Sequence, residues 1–178
     1  MSHQKKLPSN PKIILFDLDD TLLETKSLLE LRHSKEIVNL MMYKEFRQIV
    51  PYQGILKSLN EISDKVPIGL VSSSPKWYVN QFLSRHFRNL LFRPIITYND
   101  VTNLKPHPEP VLIALQLAKV KPTEAIYVGN AVEDYLACTA AAVCFIGAGW
   151  SGSITYPIDD CNIVLNPEFL IQLISENL

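Results

Sequence analysis

The chain carries six short apolar runs without polar alternation, and this pattern constrains its fold more than any other feature. The runs cover residues 12–16, 68–71, 95–97, 125–128, 143–146 and 162–165. A strand with one face in water alternates apolar and polar side chains, whereas a strand covered on both faces does not. The runs therefore predict the strands of a parallel sheet that lies between layers of helix.

Amphipathic patterns with helical spacing fill the intervals between these runs. They predict helices at 24–49, 54–66, 76–87, 109–118, 133–142 and 167–177. Because strands that alternate with helices form right-handed crossovers, we predict an α/β fold with a doubly wound parallel sheet. The length of 178 residues suits one core, so we predict a single domain over 1–178.

The composition gives no indication of a nucleic-acid or membrane partner. The formal net charge is -1, which provides no electrostatic attraction for nucleic acid or an anionic membrane. No apolar run approaches the roughly 20 residues of a membrane helix, and the polar N-terminus lacks the apolar segment of a signal peptide. Cys138, Cys144 and Cys161 have no metal-binding spacing, so we expect reduced thiols in a cytoplasmic protein.

Two carboxylates directly follow the first predicted strand. Asp17 and Asp19 are two residues apart, so in extended chain both side chains face one site. Two close carboxylates repel unless a cation lies between them, and Mg²⁺ takes such oxygen ligands together with phosphate and water. One carboxylate is then able to attack phosphorus while the other donates a proton. The alternative is a solvated acidic turn, which the burial of the preceding strand disfavours.

Further polar residues follow two other predicted strands. Ser72 and Ser73 come after 68–71, and Asn130 and Asp134 come after 125–128. In parallel α/β sheets, ligands bind beyond the carboxyl ends of the strands. We therefore expect these residues and Asp17 to lie around one site. The next pair, Ser74-Pro75, predicts only the cap of the following helix.

Three segments of the chain resemble motifs of the haloacid dehalogenase superfamily, most of whose members are phosphatases. Phe16-Asp-Leu-Asp-Asp-Thr-Leu22 is similar to the first motif, and Ser72 matches the second. There the hydroxyl and the backbone N–H of Ser73 are expected to bind a phosphate oxygen. Lys105, followed by Pro106, matches the third motif and would offset charge on Asp17 and on the phosphoryl group. The resemblance implies a Rossmann-like fold of the phosphoglycolate-phosphatase-like branch.

The fourth motif departs from the family pattern at one position. The usual Gly-Asp-x-x-x-Asp reads Gly129-Asn-Ala-Val-Glu-Asp134 here. Asn130 stands where the family has a metal-binding Asp, and its amide oxygen is an uncharged ligand. The resemblance implies a Mg²⁺ ion with the ligands Asp17, Asp19 and Asn130, supported by Thr21 and Asp134.

Together, these motifs imply a Mg²⁺-dependent phosphatase. It would hydrolyse a phosphomonoester through an aspartyl-phosphate on Asp17, with Asp19 as general acid and base. Dehalogenases of the superfamily lack the second acid of the first motif, so Asp19 favours phosphoryl transfer. An alternative of another class stays open because of Asn130: a catalytically weakened relative that serves as a binding or regulatory module.

The space available for a substrate-selecting cap is small. Such caps are inserted between motifs in this superfamily, and only 55 positions separate Asp17 from Ser72. Part of that span forms the predicted helix 54–66, which leaves about 24–50 for a minimal helical cap. An open site suits a large phosphorylated substrate, or a site that a partner completes. We expect Trp150 to lie at its rim.

Overall fold

The computed structural model describes residues 6–28, 44–152 and 161–178. Within these residues, six strands form one sheet in the order β3-β2-β1-β4-β5-β6. The strands are β1 (Ile13–Phe16), β2 (Ile68–Val71), β3 (Phe92–Ile96), β4 (Ala125–Gly129), β5 (Cys144–Ala148) and β6 (Asn162–Val164). All five strand pairings are parallel, which confirms the predicted sheet.

The third strand differs from its prediction because it begins at Phe92 rather than at residue 95. Arg93 and Pro94 interrupt the apolar run, and a proline cannot donate a ladder hydrogen bond. The structure accommodates Pro94 because β3 lies at the edge of the sheet. Its register against β2 shifts between Ile68 and Leu70, beside the proline.

Six α-helices lie in the described parts of the chain. They are α1 (Lys44–Gln48), α2 (Ile55–Ser63), α3 (Lys76–His86), α4 (Glu109–Ala118), α5 (Val132–Ala140) and α6 (Pro167–Ser175). The last five confirm the predicted helices, with ends that differ by at most three residues. The prediction of one helix over 24–49 is wrong at its start, where a 3₁₀ turn forms at Lys26–Leu28. Residues 29–43 of that prediction lie outside the described residues.

The core has one layer on each face of the sheet. Along β1, Ile14 and Phe16 belong to a cluster with apolar side chains of α2, α3 and α6. Ile13 and Leu15 belong to a second cluster with side chains of α4 and α5. Alternate residues of a strand point to opposite faces, so the central strand is buried on both sides. This arrangement confirms the doubly wound α/β fold.

The ends of the segment 24–50 lie side by side on the core. The Glu24 amide donates to the Val50 carbonyl at 3.0 Å, and the Tyr52 amide donates to the Leu22 carbonyl at 3.1 Å. An antiparallel bridge joins Leu23 to Pro51 between them. The chain therefore leaves the core and returns to it at one place, as an insertion requires. That this insertion is a minimal cap stays a prediction.

The three cysteines are free thiols, as the sequence predicts. Cys138 and Cys161 are buried, and Cys144 is half-buried. No helix in the described parts of the chain combines the length and the apolar character needed to cross a membrane.

Candidate active site

Asp17 directly follows β1, the strand between β2 and β4. Its amide donates to the Val128 carbonyl at 3.0 Å, which fixes the backbone at the carboxyl end of the sheet. The side chain is buried, and its Oδ1 lies 2.7 Å from the Lys105 ammonium. No described residue donates a hydrogen bond to Oδ2. Burial raises the pKa of Asp17 to about 7, although the charge of Lys105 opposes that rise.

Lys105 lies beneath the site with its side chain only 5% exposed. Its Nζ is 2.5 Å from Asp134 Oδ1, 3.0 Å from the Tyr127 hydroxyl and 3.2 Å from the Val71 carbonyl. Burial alone would lower the pKa of Lys105, but the carboxylates of Asp134 and Asp17 raise it above its ordinary value. The ammonium therefore stays charged, and it links Asp17 to Asp134.

The loop that carries Lys105 is fastened to the start of α4. The Glu109 carboxylate accepts hydrogen bonds from the Thr102 amide at 2.7 Å and from the Asn103 amide at 3.0 Å. It also accepts from Asn103 Nδ2 at 2.7 Å. These bonds lower the pKa of Glu109. Glu109 was not predicted as a site residue, although its position at the first residue of a helix was the available signal.

Asp134, the second acid of the fourth motif, has a side chain that is 1% exposed. Its Oδ1 accepts from the Tyr127 hydroxyl at 3.1 Å, and its Oδ2 accepts from the Ala131 amide at 3.2 Å. The Tyr127 hydroxyl also lies 3.0 Å from the Val71 carbonyl. Burial, followed by the charge of Asp134, raises the pKa of Tyr127, so it remains a neutral hydroxyl. Tyr127 was not predicted as a site residue, because in the sequence an inward-facing strand residue resembles any other core aromatic.

Gly129 provides the space that Asp134 occupies. A Cβ at this position would lie 2.5 Å from Asp134 Oδ2, closer than real contacts allow. The glycine at the end of β4 therefore follows from the close approach of the carboxylate.

The carboxylate of Asp19 is held by two hydroxyl groups. Ser74 Oγ lies 2.6 Å from Asp19 Oδ2, and the Tyr78 hydroxyl lies 2.6 Å from Asp19 Oδ1. The prediction that Ser74-Pro75 only caps a helix is wrong, because the Ser74 hydroxyl bonds to Asp19 and Pro75 is the N-cap of α3. Neither Ser74 nor Tyr78 was predicted as a site residue.

Ser72 and Ser73 follow β2, next to Asp17 at the end of β1. Ser72 is buried, and its Oγ accepts from the Ser74 amide at 3.0 Å. Its own amide donates to the Ile96 carbonyl at 2.9 Å. Ser73 is exposed. The two serines thus lie at the strand ends where the sequence places them.

Asn130 contacts the first motif through Thr21. The buried Thr21 hydroxyl donates to Asn130 Oδ1 at 3.2 Å, and Trp150 Nε1 donates to the Thr21 carbonyl at 2.9 Å. Among the described residues, no group of three or more His, Cys, Asp or Glu side chains is placed to hold a metal ion. The ligands that the sequence predicts are oxygens of Asp17, Asp19 and Asn130, which stays a prediction. Oxygen donors of this type fit Mg²⁺, with water and substrate phosphate as further ligands.

The buried lysine and acids at the carboxyl ends of a parallel sheet define an α/β enzyme site. A family model described as haloacid dehalogenase-like hydrolase matches residues 30–148, roughly two thirds of the chain. The chain therefore belongs to the haloacid dehalogenase-like hydrolases, and the predicted family is confirmed. Asp17 precedes the matched range, so its assignment depends on the motif and on the contacts described above.

Curated relatives cover nearly the whole chain. Pyrophosphatase PpaX of Oceanobacillus iheyensis is 26% identical over 207 residues, covering 93% of this chain and 94% of the relative. The protein of the same name from Bacillus pumilus is 26% identical over 206 residues, with the same coverage of both chains. These alignments are longer than the 178 residues of this chain. The relatives therefore contain residues that this chain lacks.

Solved structures share the fold at low sequence identity. A haloacid dehalogenase-superfamily hydrolase from Geobacter sulfurreducens has a TM-score of 0.73 and 18% identity, covering 97% of this chain and 99% of the other. CbbY from Rhodobacter sphaeroides, solved in complex with phosphate, has a TM-score of 0.70 and 16% identity, covering 90% and 96%. Both confirm the predicted fold class.

Proposed function

We propose that this chain is a Mg²⁺-dependent phosphatase that hydrolyses a phosphomonoester through an aspartyl-phosphate on Asp17. The observation that carries the proposal is how the two oxygens of the buried Asp17 carboxylate are contacted. Lys105 holds Oδ1 at 2.7 Å, and no described residue donates to Oδ2. A nucleophile needs both features, a fixed orientation and oxygen lone pairs that face the substrate. The pyrophosphatase names of the relatives and the phosphate in the CbbY structure support phosphate chemistry.

The oxygens of Asp17, Asp19 and Asn130 would hold Mg²⁺. Because both carboxylate oxygens of Asp19 accept hydrogen bonds from hydroxyl groups, we propose its main-chain carbonyl as the ligand. Bound there, the ion would neutralise part of the negative charge on Asp17 and on the phosphate. Lys105 provides a second, permanent positive charge beside the same carboxylate.

In the first half-reaction, an oxygen of Asp17 attacks phosphorus and forms an O–P bond. The bond from phosphorus to the leaving oxygen breaks, and its electron pair stays on that oxygen. The carboxyl group of Asp19 gives its proton to the same oxygen, so an alcohol departs. Ser72 and the amide of Ser73 bind a phosphoryl oxygen during the transfer.

In the second half-reaction, water attacks phosphorus of the aspartyl-phosphate. The Asp19 carboxylate takes the proton of the water, and the bond between phosphorus and Asp17 breaks with its electron pair returning to the carboxylate. The products are inorganic phosphate, a free Asp17 and a protonated Asp19 ready for the next cycle. Asp134 and Tyr127 hold Lys105 in place throughout.

The decisive experiment is hydrolysis of an aryl phosphate with and without Mg²⁺ by the native chain and by Asp17→Asn. We expect Mg²⁺-dependent hydrolysis that falls by at least about 10³-fold in the variant, because an amide is a very weak nucleophile. Hydrolysis that survives the substitution would show that Asp17 is not the nucleophile.

The second candidate function is a binding or regulatory module of the same family. The observation in its favour is the uncharged Asn130 at the position of a metal-binding acid. No hydrolysis of any phosphate ester, combined with specific binding of a phosphorylated ligand, would support this function over the first.

We further propose a large phosphorylated substrate, or a site completed by a partner, because the segment available for a cap is short. A kinetic preference for small sugar phosphates over phosphorylated polymers or proteins would contradict this. The reduced cysteines support a cytoplasmic location, and the net charge of -1 gives no indication of nucleic acid.

A further inference from the structure

Two hydroxyl groups contact Asp19, the proposed general acid and base. Neither hydroxyl takes part in the proposed chemistry itself. Ser74 Oγ and the Tyr78 hydroxyl each lie 2.6 Å from a different oxygen of Asp19. Contacts of 2.5 to about 2.7 Å are typical of a hydroxyl that donates to a charged carboxylate. Because the two hydroxyl groups contact different oxygens of the carboxylate, they favour one orientation of the Asp19 side chain.

The backbone around Ser74 is itself fixed. The Ser74 amide donates to Ser72 Oγ at 3.0 Å, and the Ser74 carbonyl accepts from the Tyr98 amide at 3.1 Å. Ser74 is 8% exposed. Its hydroxyl is therefore placed by the same turn that carries the phosphate-binding Ser72.

Three aromatic side chains pack against the ring of Tyr78. Its centroid lies 4.8 Å from that of Phe82, 5.8 Å from that of Trp77 and 5.9 Å from that of Phe46. Tyr78 is 1% exposed. Contacts with edge-to-face geometry at these distances stabilise one ring orientation, and that orientation directs the hydroxyl at Asp19.

Phe46 belongs to the insertion, and α3 holds this end of the insertion firmly. Arg85 of α3 donates to the Phe46 carbonyl at 3.3 Å, and its guanidinium lies 5.6 Å from the centre of the Phe46 ring. Phe46 is 1% exposed and belongs to the main core cluster. This end of the insertion is thus part of the core beneath the site.

We infer that Tyr78 and Ser74 are positioning residues that direct Asp19 at the leaving-group oxygen, and that Phe46 makes the insertion a support for Tyr78. The inference rests on the proposed phosphatase function. General acid catalysis requires the proton donor within hydrogen-bond reach of the leaving oxygen. A displacement of about 1 Å is enough to reduce the rate about 10²-fold. Loss of either hydroxyl removes one of the hydrogen bonds that orient the carboxylate.

The test compares two aryl esters that differ in their need for a proton. 4-Nitrophenolate departs readily without one, whereas phenolate of phenyl phosphate needs it more. For Tyr78→Phe and for Ser74→Ala, we expect kcat/KM with phenyl phosphate to fall by about 10-fold or more, and with 4-nitrophenyl phosphate by less than about 3-fold. Ser74→Thr keeps a hydroxyl and should restore most of the activity. Phe46→Leu should lower kcat/KM for the two esters in the same pattern as Tyr78→Phe, but by smaller factors.

The matched control is Tyr98→Phe, which removes the same atom from a tyrosine that is 52% exposed and does not contact Asp19. It should leave both rates unchanged. An equal decrease with both esters, or no decrease, in Tyr78→Phe would overturn the inference, because a purely structural role affects both substrates alike. If Tyr78→Phe gives that result while the native chain hydrolyses both esters and Asp17→Asn hydrolyses neither, only the positioning role has failed. If the native chain hydrolyses neither ester, the proposed function and this inference fail together.

Discussion

At the scale of single residues, the site consists of charges that are buried and must be balanced. Asp17, Lys105 and Asp134 have almost no solvent contact. Taking ions out of water is unfavourable unless close partners compensate, and removing one partner leaves an unpaired charge. Two carboxylates share one ammonium here, so the site retains an excess negative charge. The proposed divalent cation beside Asp17 would offset that excess.

The first prediction concerns the pH dependence of stability without metal. The folded pKa of Asp17, about 7, lies above its ordinary value of 3.8. Between these values the folded state binds more protons than the unfolded state, so the free energy of unfolding should fall as pH rises from about 4 to about 7. The contribution is at most about 4 kcal/mol. Denaturant titrations in EDTA across this range measure it.

Two comparisons control this prediction. Saturating Mg²⁺ should flatten the profile, because the cation favours the charged carboxylate. Asp17→Asn should also remove this part of the pH dependence, since the amide does not titrate. A steep fall over the same range in Asp17→Asn would assign it to another group.

The second prediction concerns Asn130. In Asn130→Asp, the uncharged amide is replaced by the carboxylate of the family motif, so Mg²⁺ should bind more tightly. We expect half-maximal activation at a Mg²⁺ concentration about 10-fold lower or more, with the Thr21 hydrogen bond retained. Metal titration of activity, and of thermal stability as a readout independent of activity, measures the change. Unchanged Mg²⁺ dependence in both assays would argue that residue 130 is not a ligand.

At the scale of elements, the carboxyl ends of the strands and the loops behind them set the geometry. The loop before α4 brings Lys105 beneath Asp17, and its fastening to Glu109 is local, within seven residues. The third prediction is that Glu109→Gln loosens this loop, because an amide has one acceptor oxygen and no charge. We expect kcat to fall about 3- to 10-fold with little change in KM. Hydrogen exchange at the Thr102 and Asn103 amides should accelerate.

The control for this prediction is Glu124→Gln, a substitution of the same kind at an exposed turn. It should leave activity unchanged. Acid should have the same effect as Glu109→Gln in the native chain. Because hydrogen bonds lower the pKa of Glu109 in the folded chain, the fastening is complete above the ordinary pKa of a glutamate and is lost as pH falls through this lowered pKa. Unaltered exchange of both amides in Glu109→Gln would contradict the fastening.

The sequence predicts those parts of the site that depend on local order and fails for those that depend on distant packing. Asp17, Ser72 and Asn130 come after apolar runs, so their place at the carboxyl end of the sheet follows from the parallel topology. Ser74 and Tyr78 contact Asp19 across 55 and 59 residues of chain. No periodicity marks those contacts, because hydroxyl groups of a turn and of a helix face also serve as caps or core residues.

At the scale of the whole molecule, the chain leaves the core for the insertion and returns to it at one junction, and Phe46 of the insertion packs within the core. The hydrogen bonds between the segments 22–24 and 50–52 close that junction, and the 3₁₀ turn at Lys26–Leu28 contacts α1. The PpaX alignments exceed the length of this chain. Within the aligned region this chain therefore has fewer residues than the PpaX relatives, and its described residues still form the six-stranded parallel sheet.

The final prediction is that residues 29–43 select the substrate and are dispensable for folding. The chain enters and leaves this segment next to the junction, so a short Gly/Ser linker in its place should close the gap at little entropic cost. We expect the free energy of unfolding to change by less than about 1 kcal/mol, since Phe46 and the junction are retained. The kcat/KM for 4-nitrophenyl phosphate should change by less than about 3-fold, whereas discrimination between esters of different size should weaken.

Substituting Phe46→Ala in the intact chain serves as the contrasting variant, because it empties a buried position and should lower stability by about 3 to 5 kcal/mol. If the linker variant also loses several kcal/mol, the replaced residues belong to the folding core, and the insertion cannot be treated as a separable cap.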